Sequence, residues 1–233
     1  MRVHKPCVPW LRWENRRSMV AGMSSSRRQA VRLPPGPQGL KRAEVERAQR
    51  ERLVGAMAHV SSTVGYEEAT VERVLAEAGV SRRTFYELFE DREDCFVAAY
   101  DDAMARVLRV VTDAYLDCEA PERRLESALE TLLELCAADP DCARMCVVEV
   151  FAAGPRTRER RAEAMDRLAR LVEHALGELR GDDRLDRLSA QALVGAVHEL
   201  IFPPVDRRDV AALPGMAGDI MATQIAPLVA VGR

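Results

Sequence analysis

The stretch "AGVSRRTFYELF", Ala78 to Phe89, constrains this chain more than any other. Gly79 supplies the left-handed backbone that a tight turn needs. Ser81 follows at a position where its hydroxyl can accept a backbone N–H and start a helix. Phe85 and Phe89 then fall at i and i+4 and share one helix face. Upstream, Thr70 has the chemistry of a second N-cap, for a helix whose inner face is Val71, Val74, Leu75 and Ala78. Two short helices meeting at a sharp turn, with Val80 plugging the angle, form a helix-turn-helix. The aromatic face of the second helix has to be buried, so its first turn points outward. That turn carries Arg82 and Arg83, whose forked donors match guanine edges and phosphate oxygens. Thr84 and Tyr86 add hydroxyls on the same exposed side.

Helical periodicity extends over the rest of the chain. Leu53, Met57, Val60 and Val64 recur at helix spacing, which predicts a first helix over about 44–63 that ends at Gly65-Tyr66. Phe96, Tyr100, Ala103, Val107 and Val110 mark a long helix after "EDRED". Pro121, Pro140, Gly154-Pro155, Gly181 and Pro203-Pro204 punctuate the remainder of the chain. They predict helices near 122–138, 141–152, 156–180, 188–202 and 213–230. No stretch alternates as a strand does, so the expected fold class is all-α.

Residues 1–43 read as a flexible basic tail. They hold both tryptophans, an SSS run and "RLPPGPQG", and their charges are almost all positive. Such an arm can wrap DNA, but a solvated linker accounts for it as well. A helix-turn-helix domain is expected over 44–91 and a second helical domain over 92–233. The net charge of -3 excludes a chain that is basic throughout and leaves room for a local basic surface. No apolar run stands out as a membrane span of roughly 20 residues, and no apolar segment comes after the charged start as in a secretory leader. No membrane partner and a cytoplasmic location are therefore expected.

The six cysteines are scattered and read as reduced thiols. Cys142 and Cys146 share a helix face, but zinc wants a closed set of four ligands, and no CxxC or paired histidine supplies it. Buried hydrophobes are the plainer reading, and no metal or cofactor is expected. His174 and His198 stand alone, and "RTRERRAEAMDRLARL" reads as a solvated face laced with i,i+4 pairs. There is no nucleophile elbow, no HExxH and no phosphate-cradling glycine loop, so an enzyme is not expected.

Taken together, residues 47–104 resemble the N-terminal domain of TetR/AcrR-type bacterial transcriptional regulators. The resemblance rests on the joint spacing of an apolar first helix, "GY", a threonine-capped second helix, "AGVS" and "TFYELF". It implies a homodimeric regulator, most often a repressor, that reads an operator in double-stranded DNA built as an inverted repeat. Thr70 and Ser81 match positions that cap helices and touch phosphate. Arg82, Arg83 and Thr84 match the base-reading stretch, and Tyr86 and Arg92 match phosphate contacts. Glu87, Glu90 and Asp91 depart from the pattern, and their charge should repel DNA. This departure motivates a rival, a ligand-binding or interaction protein of the same fold that has lost DNA recognition.

The resemblance also implies a C-terminal domain that binds a small, mostly apolar ligand and pairs its last two long helices with those of a second copy. Apolar faces suggest Met104, Leu108, Leu132, Met145, Val148 and Phe151 as pocket lining, although a filled core explains each of them equally well. Residues 190–201, where Gly195 and Ala196 permit close helix approach, and residues 220–229 are the expected dimer surfaces. Pro227 should end or kink the last helix. The long helix after Arg92 would carry a ligand signal to the reading heads.

Overall fold

The structure is a computed structural model that describes residues 42–180 and 187–230. The basic tail, apart from its last two residues, and the stop at Gly181 lie outside the described residues. Among the described residues every regular element is helical: α1 (Arg42–Val64), α2 (Val71–Ala78), α3 (Arg82–Leu88), α4 (Arg92–Leu116), α5 (Pro121–Ala138), α6 (Pro140–Val147), α7 (Pro155–Arg180), α8 (Arg187–Asp206), α9 (Ala217–Ile220) and α10 (Ala226–Ala230). Short 3-10 turns at Glu149–Phe151 and Val210–Met216 and a π turn at Met221–Ile225 link them.

The helices form two compact units. One comprises residues 42–104 with 141–162, and the other 105–140, 163–180 and 187–230 among the described residues. The helix-turn-helix is thus closed by a segment some fifty residues further along the chain, which no local pattern announces. The expected boundary at residue 92 falls inside the first unit.

The first unit is built on the expected faces. Leu53, Met57 and Val60 of α1, Val74 and Ala78 of α2, Phe85 and Phe89 around α3, and Phe96 and Tyr100 of α4 are all buried. Phe85 and Phe89 lie 5.7 Å apart, and Phe96 meets Tyr66 edge-on at 5.0 Å. The exception is Val64, which is exposed because α1 stops there at Gly65, with φ 84. The predicted helix over 141–152 breaks after Val147 into the 3-10 turn, and Gly154, with φ 120, starts α7.

In the second unit Leu125, Leu129 and Leu133 of α5, Leu193 and Ile201 of α8, and Leu213 and Ile220 are buried, and the Val210–Met216 turn packs against both α5 and α8. Tyr115 donates to Glu178, which also accepts from Arg124 at 3.2 Å. Two expectations fail at α8. The sequence reads Pro203-Pro204 as a stop, yet the helix runs through both to Asp206. Proline's φ is already helical, and what it removes is an N–H donor. The Pro203 carbonyl still accepts from Arg207 N at 3.0 Å, and the chain leaves the helix only at Arg208, with φ 58. The same helix is also long and apolar enough to cross a membrane by length and composition, contrary to the expectation that no run is. It buries Ala190, Leu193, Ile201 and Val205 within its own unit, while only 28% of its apolar window is buried. The π turn ends at Ile225, with one residue between it and Pro227, where the wider turn accommodates the missing donor.

Candidate nucleic-acid interface

The local chemistry that positions α3 is the chemistry the sequence announces. Thr70 is the N-cap of α2, and its hydroxyl accepts from Arg73 N at 3.4 Å. Gly79 closes α2 in the left-handed region at φ 61 and donates to Leu75 O at 2.9 Å. Ser81 caps α3, its hydroxyl accepting from Thr84 N at 3.1 Å and bonding the Thr84 hydroxyl at 2.9 Å. With Phe85 fully buried, the first turn of α3 is turned to solvent. Thr70, Ser81, Arg82, Arg83 and Tyr86 are exposed, and Thr84 is half-buried beneath them.

The two arginines are not free cations. Arg82 pairs with Glu72 of α2, and Arg83 pairs with Glu87 one turn along α3 at 2.8 Å. All four side chains keep more than half of their surface in water, Arg83 as much as 89%. Exposed pairs of this kind are worth roughly 0–1 kcal/mol, so a competing anion exchanges with them at little cost. The Glu72 carboxyl is held below its ordinary range, first by its own backbone N–H at the start of α2 and then by Arg82. Arg83 is raised by its bond to Glu87.

The acidic residues after α3 share one cation. Arg156, at the start of α7, holds both oxygens of Asp91 at 2.6 Å, approaches Glu93 at 3.4 Å and lies 3.8 Å from Glu90. Burial pushes the Asp91 carboxyl up, but the Asp94 backbone N–H and Arg156 together bring it below its ordinary value. Glu93 in turn accepts from Thr157 N at 3.1 Å and so caps α7 from another helix. Arg156 thus offsets part of the charge of this patch, while Glu90 keeps 86% of its side chain in water.

Arg92 has an internal role. Its guanidinium donates to the carbonyls of Tyr66 at 3.2 Å and Glu67 at 3.0 Å and lies 4.2 Å from the centre of the Tyr66 ring. It ties the first turn of α4 to the α1–α2 turn. Glu149, which sequence reasoning does not single out, completes this tie. Its buried carboxylate accepts from Tyr66 N at 2.8 Å and pairs with Arg144 at 3.1 Å. The available signal is the single acid inside the apolar run "CVVEVFAA".

The six residues suggested as pocket lining divide between the units. Met104 and Met145 are buried, Val148 is half-buried and Phe151 is 46% exposed in the first, while Leu108 and Leu132 are half-buried in the second. Phe151 carries the Arg161 guanidinium 4.6 Å from its ring centre. Cys95, Cys118 and Cys136 are buried thiols, and Cys142 and Cys146 are half-buried. Burial pushes the Cys95 thiol up to about 12.

Residues 55–99 match the family described as bacterial regulatory proteins, tetR family. The chain is 27% identical over 100 residues to the HTH-type transcriptional regulator YdgC of Bacillus subtilis, a match that covers 41% of this chain and about half, 51%, of that relative. Its fold is similar to that of the fatty acid degradation regulator FadR from Bacillus halodurans, with a TM-score of 0.70 and 19% identity over 83% of this chain and 97% of the other. It is also similar to the transcriptional regulator FadR from Bacillus subtilis, solved in complex with stearoyl-CoA, with a TM-score of 0.68 and 19% identity over 76% and 97% of the two chains. At this identity the structural likeness establishes the fold.

Proposed function

We propose, from the match of residues 55–99 to the bacterial regulatory proteins of the tetR family, that this chain is a dimeric, cytoplasmic transcriptional repressor released from its operator by a small ligand with a long apolar part. The observation that carries the reading is the outward first turn of α3, with Arg82 and Arg83 in cheap, exposed ion pairs. A recognition helix enters the major groove by its N-terminal residues, and bidentate arginine is the commonest reader of guanine there. On DNA, Arg82 and Arg83 give up Glu72 and Glu87 for base edges and phosphates. Thr70, Ser81, Thr84 and Tyr86 line the same exposed surface and serve the backbone. Arg92 supports the surface from beneath by fixing the α1–α2 turn.

Dimerisation is assigned to α8 and to residues 220–229. Support comes from Leu188 and Leu200, which are exposed, and from Gly195, where an added Cβ meets nothing within 4 Å. The ligand class is taken from the FadR of Bacillus subtilis, whose structure holds stearoyl-CoA. A ligand that binds one tilt of α4 better than another then shifts the spacing of the two reading heads.

Selection of fragments from random duplex DNA by the full chain tests this reading. The expected product is an inverted repeat whose half-site centres lie about 34–36 Å apart or a multiple of that, bound with a steep loss of affinity as salt rises. Enrichment of no fragment at low salt overturns it and favours the rival, in which the carboxylates of Glu72 and Glu87 hold the arginines permanently.

A further inference from the structure

In the unit that contains the helix-turn-helix, two buried donors are left without a hydrogen-bond acceptor, Tyr100 Oη on α4 and Arg161 Nε on α7. Tyr100 is fully buried. Buried polar atoms in proteins are paired as a rule, and an exception calls for an explanation. Tyr115, another buried phenol of this chain, by contrast donates to Glu178. The nearest carboxylate in sequence, Asp101, offers no relief. Arg160 holds it through contacts of 2.6 and 3.0 Å.

The surroundings are those of a ligand's polar end. Asp101 and Arg160, each next in sequence to one of the two donors, bond across α4 and α7 at 2.6 Å, so both donors lie where these helices meet. Met104, one turn beyond Tyr100 on α4, and Met145 of α6 are buried apolar residues of the same unit. The Arg161 guanidinium is steadied against the face of Phe151, which leaves its Nε–H fixed in direction. Arginine can only donate, and a phenol donates well. The missing group is therefore an acceptor oxygen.

We propose that Tyr100 Oη and Arg161 Nε form the polar end of a ligand site within this unit, where they receive the carbonyl oxygen of an acyl thioester or the carboxylate of a free fatty acid, with the alkyl chain against Met104 and Met145. The site rests on the proposed ligand-released regulator, and it assigns two residues that the sequence reading of the pocket leaves out. A cationic ligand is disfavoured, because the Arg161 guanidinium is a like charge that can only donate.

The test is titration calorimetry on the full chain with dodecanoyl-CoA, dodecanoate and dodecylamine. Wild type is expected to bind at least one of the first two and not the amine, and which of the two binds identifies the source of the oxygen. Tyr100→Phe should weaken that binding about ten-fold and leave the Tm of the ligand-free chain unchanged or raised, since the deleted hydroxyl had no partner. Arg161→Lys, at a half-buried position, should weaken it similarly. Equal affinity in wild type and Tyr100→Phe, a lowered ligand-free Tm in Tyr100→Phe, or binding of none of the three probes by wild type each overturns the site. A mobility shift of wild type on selected DNA is run alongside. Its failure sinks the regulator reading, whereas the calorimetry reports on the site alone.

Discussion

The same pair of residue types does opposite work in two places of one unit. At α3, Arg82–Glu72 and Arg83–Glu87 lie in water. Behind the α1–α2 turn, Arg144–Glu149 lies in the interior, with side chains only 20% and 7% exposed. An ion pair in water is worth little and exchanges freely, so it suits a surface that has to change partners. A buried carboxylate that also accepts a backbone N–H is costly to disturb, so it suits a joint that has to hold. Accessibility, rather than the identity of the pair, separates the proposed reading surface from its support.

The largest effect should come from breaking the buried side. Glu149→Ala removes a buried charge partner of Arg144 and leaves Tyr66 N without its carboxylate acceptor, which should lower the stability measured by urea unfolding by about 3–5 kcal/mol. Glu149→Gln keeps an acceptor for Tyr66 and should lose distinctly less. A loss in Glu149→Ala as small as that of a surface mutant would erase the contrast.

Gly154→Ala comes next. Gly154 sits at φ 120, and an added Cβ would lie 2.5 Å from a Glu93 carboxylate oxygen. The strained backbone and the clash with the acid that caps α7 should together cost about 2 kcal/mol, read as a lowered Tm.

On the exposed side the effects move from stability to DNA. Arg82→Ala and Arg83→Ala should each cost about 1–3 kcal/mol on the selected operator, while folded stability shifts by no more than about 0.5 kcal/mol. Both variants shifting that DNA as well as wild type does would remove α3 from the interface.

Glu87→Gln should raise operator affinity a few-fold by releasing Arg83 from a pair worth at most about 1 kcal/mol. Unchanged affinity would mean that the pair costs DNA binding nothing.

The smallest effect separates the two kinds of pair by pH. Asp91 is held below its ordinary value, so the stability it contributes is present above the unfolded carboxylate pKa of about 4 and is lost as pH falls through the depressed folded value. Urea midpoints of wild type and Arg156→Ala should therefore differ at pH 7 and converge toward pH 3. A difference that persists at pH 3 would assign Arg156 a packing role instead.

Much of the reading surface was legible because it is built from local rules. Thr70, Gly79 and Ser81 act on atoms within four residues of themselves, and the aromatic pair Phe85 and Phe89 repeats at helix spacing. The support was not legible. Nothing near Glu149 in the chain states that it will meet Tyr66, 83 residues away. Nothing near Arg92 states that it will turn inward to the Tyr66 and Glu67 carbonyls. Pro203 and Pro204 misled for a related reason, since a proline in a helix is decided by whether neighbours tolerate the missing donor. Nor does the apolar run state that Phe151 will stand 46% exposed with the Arg161 guanidinium 4.6 Å from its ring centre.

The amino-acid order alone determined the helix-turn-helix, its caps, its turn glycine and the outward arginines, because each depends on contacts within a single helical turn. The tertiary structure alone decided which charges are held and which are free to exchange, and which buried donors were left waiting. Burial and partnership at those positions are set by segments that meet only after the chain has folded.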